Sequence, residues 1–264
     1  GREAFVNQKI KEIQIPESLK HIRREVDRIF LENKARYGYR RIHAELKKIG
    51  IKVSEKVVRR VMKEDGLEVK IRKTKKYSSY KGEISPVVPN EVQRNFHSEK
   101  PNELLLSDIS EFAIPTGKVY LSPAVDCFDG MLVTWRISEH PNADLVNGML
   151  DDVIANIGTK SKPIIHTDRG CHYRWPGWIE RMEINVYTRS MSQKGCSPDN
   201  AACEGLFGRI KNEFFYNQDW KNVTIEEFSH ELDKYLHWYN EKRIKKSLGY
   251  LSPMEYRRSL KLVV

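Results

Sequence analysis

The stretch Leu104-Leu105-Leu106-Ser107-Asp108-Ile109-Ser110-Glu111-Phe112 is the one on which the reading of the fold turns. It reads as a strand, yet it carries an aspartate in its middle, and a charge there is costly to bury unless something pairs with it. Two further strand-like runs follow, residues 119–128 and 131–138, separated by Pro115-Thr116-Gly117 and by the hairpin signal Asp129-Gly130. Together the three runs predict an antiparallel meander.

Downstream the period changes. Leu145, Val146, Met149, Leu150, Val153 and Ile154 predict a helix over 143–157. Residues 163–166 read as a short buried strand, 173–182 as helical from about Pro176, and 184–187 as another strand. Residues 188–197 are polar and read as a mobile loop. A helix is expected from about Asp199 to Phe215, and two more over 225–239 and 253–260. Hairpin strands followed by alternating helices and strands predict an α/β layer with a mixed five-stranded sheet and flanking helices.

Upstream, a small all-α unit is expected. Leu19, Ile22, Val26, Ile29 and Phe30 recur at helical spacing, Ile42, Leu46 and Ile49 form a second stripe, and Ser54 is an N-cap for a third helix with Val57, Val58, Val61 and Met62 facing inward. Gly38, Gly50 and Gly66 punctuate the three. Helix, short Gly-containing turn, helix is the pattern of a helix-turn-helix unit. The expected organisation is a helical DNA-binding domain over 1–69, a basic linker over 70–100, a catalytic core over 101–220 and a helical extension over 221–264.

Charge separates the halves. Residues 1–100 carry 26 Lys+Arg against 14 Asp+Glu, whereas residues 101–264 carry 20 against 22. All of the excess positive charge therefore lies in the first part, the electrostatic footprint of a nucleic-acid binder. Phosphate or groove contacts are expected from Arg40, Arg41, Lys56, Arg59, Arg60 and Lys63, and from Arg72, Lys73, Lys75 and Lys76 of the linker. No apolar stretch approaches the roughly 20 residues that span a bilayer. Cys127, Cys171, Cys196 and Cys203 form no C-x-x-C pair and there is no apolar signal segment, so a reduced, cytoplasmic protein is expected. The first residue is Gly1, which points to a natural start upstream.

The acids carry the chemistry. Asp168, in Ile164-Ile165-His166-Thr167-Asp168-Arg169-Gly170, sits just past a buried strand, where open α/β sheets place ligands. Glu204 follows after 35 intervening residues, in the first turns of a predicted helix. Asp108, Asp168 and Glu204, on three different elements, suit two Mg²⁺ ions, with Mn²⁺ as a substitute, for phosphodiester attack. Asp108 is expected to bridge the ions, with Asp126 supporting the site from the adjacent strand. Asn200 and Lys211, four residues before and seven after Glu204, share its helical face and are expected, with Arg169, to position DNA.

These motifs resemble the DDE transposases of bacterial insertion sequences, in particular the downstream-frame part of the insertion-sequence-three family. The resemblance is carried by Tyr37-Gly38-Tyr39-Arg40-Arg41-Ile42, Ser107-Asp108-Ile109-Ser110-Glu111-Phe112, His166-Thr167-Asp168-Arg169-Gly170 with Tyr173, Asp199-Asn200-Ala201 with Glu204 and Lys211-Asn212-Glu213, and Trp238-Tyr239-Asn240 with Ser252-Pro253. It implies an RNase H-like, retroviral-integrase-type core, Mg²⁺-dependent cleavage and strand transfer at element ends, double-stranded DNA as partner, and a homodimer or higher oligomer on that DNA. It also implies a bacterial protein that associates with the nucleoid when acting. Cys171-His172 departs from the small and amide residues common there. Two other readings fit the basic first part: a DNA-binding regulator whose acidic core is inert, and an RNase H-like nuclease that cuts without joining.

Overall fold

The computed structural model describes residues 17–70, 88–158, 161–193, 197–216 and 218–262. They form two compact units that divide between Lys70 and Ile71. In the first, α1 (Glu17–Glu32), α2 (Tyr39–Lys48) and α3 (Glu55–Glu64) pack around Val26, Phe30, Tyr37, Ile42, Leu46, Val58 and Val61. The turn between α2 and α3 uses Gly50 at φ +82°, a left-handed conformation that favours glycine, and Ser54 caps α3 by accepting the Val57 N–H. Arg23 of α1 pairs with Glu64 and Asp65 at the end of α3.

The second unit is built on a sheet of six strands: β1 (Leu104–Ser107), β2 (Ser110–Ile114), β3 (Gly117–Asp126), β4 (Leu132–Ser138), β5 (Ile164–Thr167) and β6 (Thr188–Met191). β1 and β2 are one interrupted run. Both pair antiparallel with β3 in a single register, Ser107 opposite Ala124 and Ser110 opposite Leu121. Counting the two as one, the strand order is β4-β3-β1/β2-β5-β6, with the last two junctions parallel. This is the mixed five-stranded sheet expected of an RNase H-like core.

The interruption has a local cause. The Cys127 N–H donates to Leu104 O and the Asp126 N–H to Met131 O, so alternate residues of β3 face β1 and β4. Pro123 falls on the β1 side, where the register places it opposite Asp108. It has no N–H to donate, and the ladder opens there. Asp108 is therefore not inside a continuous strand, as its sequence suggests, but in a two-residue gap between two short ones.

Both faces of the sheet are covered. Leu104 and Leu106 pack on one side with Leu206, Phe207 and Ile210 of α6 (Ala201–Ile210) and Phe228, Leu232, Tyr235 and Leu236 of α7 (Ile225–Glu241). Leu105 and Ile165 pack on the other with Val146, Leu150 and Val153 of α4 (Ala143–Ile157) and Trp178 and Met182 of α5 (Pro176–Ile184). A strand buried on both faces is apolar throughout, which is why 104–106 does not alternate.

Several boundaries differ from expectation. α5 runs to Ile184, and Val186 at φ +57° closes a turn, so Ile184 and Val186 are exposed rather than in a strand. The strand lies four residues on, within the stretch read as a loop. Residues 88–100 are not a free linker in composition alone: Val92 is buried in the core, and the Met191 N–H donates to Pro89 O. The 201–215 helix changes at Lys211–Phe215 to a π-helical turn. The C-terminal helices belong to the core, and α8 (Pro253–Ser259) is tied to it by Arg257, whose guanidinium reaches Asp126 and Asp129 at 2.7 Å with all three side chains buried. Removing one partner of such a group strands the others without compensation. Arg257→Ala is expected to lower unfolding free energy by about 3–5 kcal/mol in urea denaturation; a loss under about 1 kcal/mol would show that the carboxylates find other partners.

Candidate active site

Register brings the first two acids together. Parallel pairing sets Ser107 beside Thr167, so Asp108 and Asp168, the next residues, emerge side by side at the C-terminal ends of β1 and β5. Both line a cavity of about 280 Å³ with Ile109, Tyr120, Tyr173 and His172 among its walls. Asp108 Oδ1 accepts the Ile109 N–H at 2.7 Å and Oδ2 accepts Nδ2 of Asn200 at 2.8 Å. Asp168 Oδ1 accepts the Gly170 N–H at 2.9 Å. A side chain at Gly170 would put its Cβ 2.9 Å from that same oxygen, so a larger residue there would displace the Asp168 carboxylate.

Burial dominates the electrostatics. It pushes the Asp108 carboxyl up to about 7, helped by the neighbouring Asp168 and opposed by the hydrogen bonds from Asn200 and Ile109. The Asp168 carboxyl is also raised, again chiefly by burial, against the Gly170 hydrogen bond and the charge of His172. Two carboxyls held up in this way form a site short of positive charge.

The third acid stands apart. Glu204 is in the first turn of α6, exposed, and not part of the cavity wall; its charge contributes to raising Asp108. Among the described residues, no three of His, Cys, Asp and Glu stand where they would hold one metal ion. Asn200, the residue just before α6, meets the pair instead, through its hydrogen bond to Asp108 Oδ2. Lys211 sits at the start of the π-helical turn, half-buried, with its ammonium 5.5 Å from the Phe112 ring centre. Burial lowers its pKa while Glu111 and Asp108 resist.

Asp126 does not support the cavity. It is fully buried opposite Leu105, three residues along the ladder from the Asp108 position and thus roughly 10 Å away. Its carboxylate accepts the Asn102 N–H at 2.8 Å and the Phe128 N–H at 3.0 Å and pairs with Arg257. Its partner is 131 positions on, which no local pattern reveals. Two side chains next to the acids carry more than their sequence suggests. Asp199 is buried and hydrogen-bonded to Arg94 and Asn90, and Glu213 accepts from Arg243 and Tyr235. The only sequence signal for either is its place in the Asp199-Asn200 and Lys211-Asn212-Glu213 motifs.

In the helical unit, Lys56, Arg59, Arg60 and Lys63 are exposed on α3. Arg40 and Arg59 lie over the Tyr39 ring at 5.3 and 5.7 Å, and Arg41 over Tyr37 at 5.2 Å. Arg60 is 3.8 Å from Glu64. Arg169 follows Asp168 in its turn. Arg72, Lys73, Lys75 and Lys76 lie outside the described residues. No helix among the described residues is long and apolar enough to cross a membrane.

Comparison with known proteins places these features in one group. An HTH-like domain model matches residues 18–75, and integrase core domain models match 98–195 and 204–260. The probable transposase of insertion sequence IS1353 from Shigella flexneri is 48% identical over 263 residues, which is 100% of this chain and 51% of that protein. The putative transposase InsK of IS150 from Escherichia coli K12 is 35% identical over 248 residues, 94% of this chain and 87% of the relative. An uncharacterised transposase-like protein of Haemophilus influenzae is 37% identical over 207 residues, 78% of this chain and 94% of its own length. The chain thus spans about half of the first relative and most of the other two.

The raised Asp108 carboxyl has a stability consequence. Its folded pKa lies above the ordinary value of 3.8, so the native state binds the proton more tightly than the unfolded chain. That contribution is full below about pH 4 and is lost as pH rises through about 7, with an upper bound of about 4 kcal/mol. Asp108→Asn in metal-free buffer is therefore expected to be more stable than the parent at pH 8 and nearly equal to it at pH 4. Parallel denaturation curves across that range would contradict the assignment.

Proposed function

The chain belongs to the transposases of the insertion-sequence-three family, and from that premise we propose that it cleaves and joins DNA at element ends through Asp108, Asp168 and Glu204. The observation that carries the reading is the pairing of Asp108 and Asp168 at the ends of two adjacent parallel strands, in one cavity, with both carboxyls raised by burial. Hard carboxylate oxygens short of positive charge fit Mg²⁺ or Mn²⁺. Such ions, when bound, would activate the attacking oxygen and neutralise charge on the scissile phosphate.

In this proposal Asp108 and Asp168 hold the cations, and Glu204 joins them from α6. Asn200 orients Asp108 by donating to its Oδ2, while Oδ1 accepts the Ile109 N–H; Asp108 and Asp168 both line the cavity. Lys211, within electrostatic reach of Asp108, is placed to meet a DNA phosphate. The exposed basic face of α3 and the Arg–Tyr contacts around Tyr39 give the helical unit a surface for duplex DNA, and joining two ends calls for at least two copies of the chain. The exposed position of Glu204 is the one feature that favours an inert, regulatory core instead.

Asp168→Asn separates these readings. It is expected to abolish Mg²⁺-dependent cleavage and end joining, by at least about 10³-fold, while end-DNA affinity stays within about twofold. A variant that still joins ends ends the catalytic assignment, and a parent chain that cuts but never uses a supplied 3′-OH is a nuclease. For the helical unit, the Arg59→Glu/Arg60→Glu double variant is expected to bind duplex DNA more weakly and with a shallower salt slope, by about one for each lost phosphate contact. Identical affinity at every salt concentration would remove α3 from the interface.

A further inference from the structure

The chain that leads into the core is fastened directly to the start of α6. Asp199 is only 2% exposed, and its carboxylate accepts from Arg94 Nε at 2.8 Å, from Asn90 Nδ2 at 2.9 Å and from the Gln193 N–H at 2.9 Å. Its carbonyl is bonded to His166 Nε2 at 2.9 Å. A carboxylate this deep persists only when donors surround it. The same chain segment is held at several points. The Glu91 N–H donates to Ser190 Oγ at 3.0 Å, Ser190 Oγ is bonded to His166 Nδ1 at 2.8 Å, Val92 enters the core, and Phe96 packs edge-on to His166.

The next residue, Asn200, donates to Asp108 Oδ2. One peptide bond thus separates the group that holds the segment 89–96 from the group that touches the carboxylate pair. We propose that Asp199 is a positioning residue: with Asn90 and Arg94 it latches the segment ahead of the core to the turn that leads into α6, and so holds Asn200 against Asp108. Asn90 and Arg94 lie before residue 98, where the integrase core match begins, so the carboxylate site depends on chain outside that match. The inference rests on Asp108 being part of the catalytic site, and its test has one arm that does not.

The experiment uses the full chain, Mg²⁺ and a duplex end with a free 3′-OH. Arg94→Ala is the main variant, because that side chain is 57% exposed and its loss leaves the core packed. It is expected to slow joining about tenfold or more, with end-DNA affinity within about twofold and the thermal midpoint within about 3 °C of the parent. Arg94→Lys is expected to recover part of the rate, and a folded Asp199→Asn to match Arg94→Ala. Arg94→Ala combined with Asn200→Ala is expected to be no slower than Asn200→Ala alone, since the latch acts through Asn200. In the second arm, amide hydrogen exchange, Arg94→Ala is expected to speed exchange of the Gln193 amide and of the 201–204 amides about tenfold.

Joining at the parent rate in Arg94→Ala, a loss explained by weaker DNA binding, or rate losses that multiply in the double variant would each overturn the proposal. If the parent joins no ends, the functional reading falls and the exchange arm decides: unchanged exchange at Gln193 and α6 overturns the latch, and faster exchange upholds it.

Discussion

Two carboxylates at the ends of neighbouring parallel strands repel each other, and the protein places them in a cavity where burial strengthens the repulsion. The rest of the catalytic unit answers that constraint. Asp108 sits where the β1/β2 run is broken, opposite a proline that brings no N–H, so its backbone is free to turn its carboxylate outward rather than into the sheet. Asp168 sits at the end of β5 and is held by the backbone of its own tight turn. Neither carboxylate is neutralised by the fold; each is steadied by neutral donors, the Ile109 and Gly170 amides and the Asn200 side chain. A site left in this condition is strained toward whatever positive charge arrives, and stability is given up where the chemistry is wanted.

Charges elsewhere in the unit are treated in the opposite way. Arg257 is closed between the opposite charges of Asp126 and Asp129, and Arg243 between the Glu213 carboxylate and the neutral Tyr239 ring, with both guanidinium groups buried. Lys245 adds hydrogen bonds to the carbonyls of Asp129 and Gly130. These groups fasten the C-terminal segment to the β3–β4 hairpin and to the π-helical turn that begins with Lys211. The contrast separates the two uses of buried charge: compensated pairs that join distant parts of the chain, and an uncompensated pair that waits for a cation.

Much of the architecture was legible because it rests on local chemistry. Helical stripes ended by Gly50 and Gly66, the Asp129-Gly130 turn and the helix over 143–157 lie where side-chain period and turn residues place them. The errors share a different origin. Ile184 and Val186 looked like strand because they are apolar and β-branched, yet α5 runs on through Ile184, and the strand forms from Thr188-Arg189-Ser190-Met191, whose partner β5 is more than 20 residues earlier. Asp126 looked like a neighbour of Asp108 because both lie on adjacent strands. The register, not adjacency, decides which residues meet, and it sets Asp126 against Leu105.

The amino-acid sequence on its own determined the element types, the split between a basic helical part and a nearly neutral α/β part, and the three acidic positions with their family likeness. Each of those depends on residues a few places apart or on motifs kept in order. Tertiary structure alone decided that Asp108 and Asp168 share a cavity whose wall does not include the exposed Glu204, that Asp126 serves Arg257, and that Asp199 grips residues 90 and 94. Those outcomes depend on strand register and on through-space electrostatics between groups dozens of residues apart, and neither leaves a local trace in the chain.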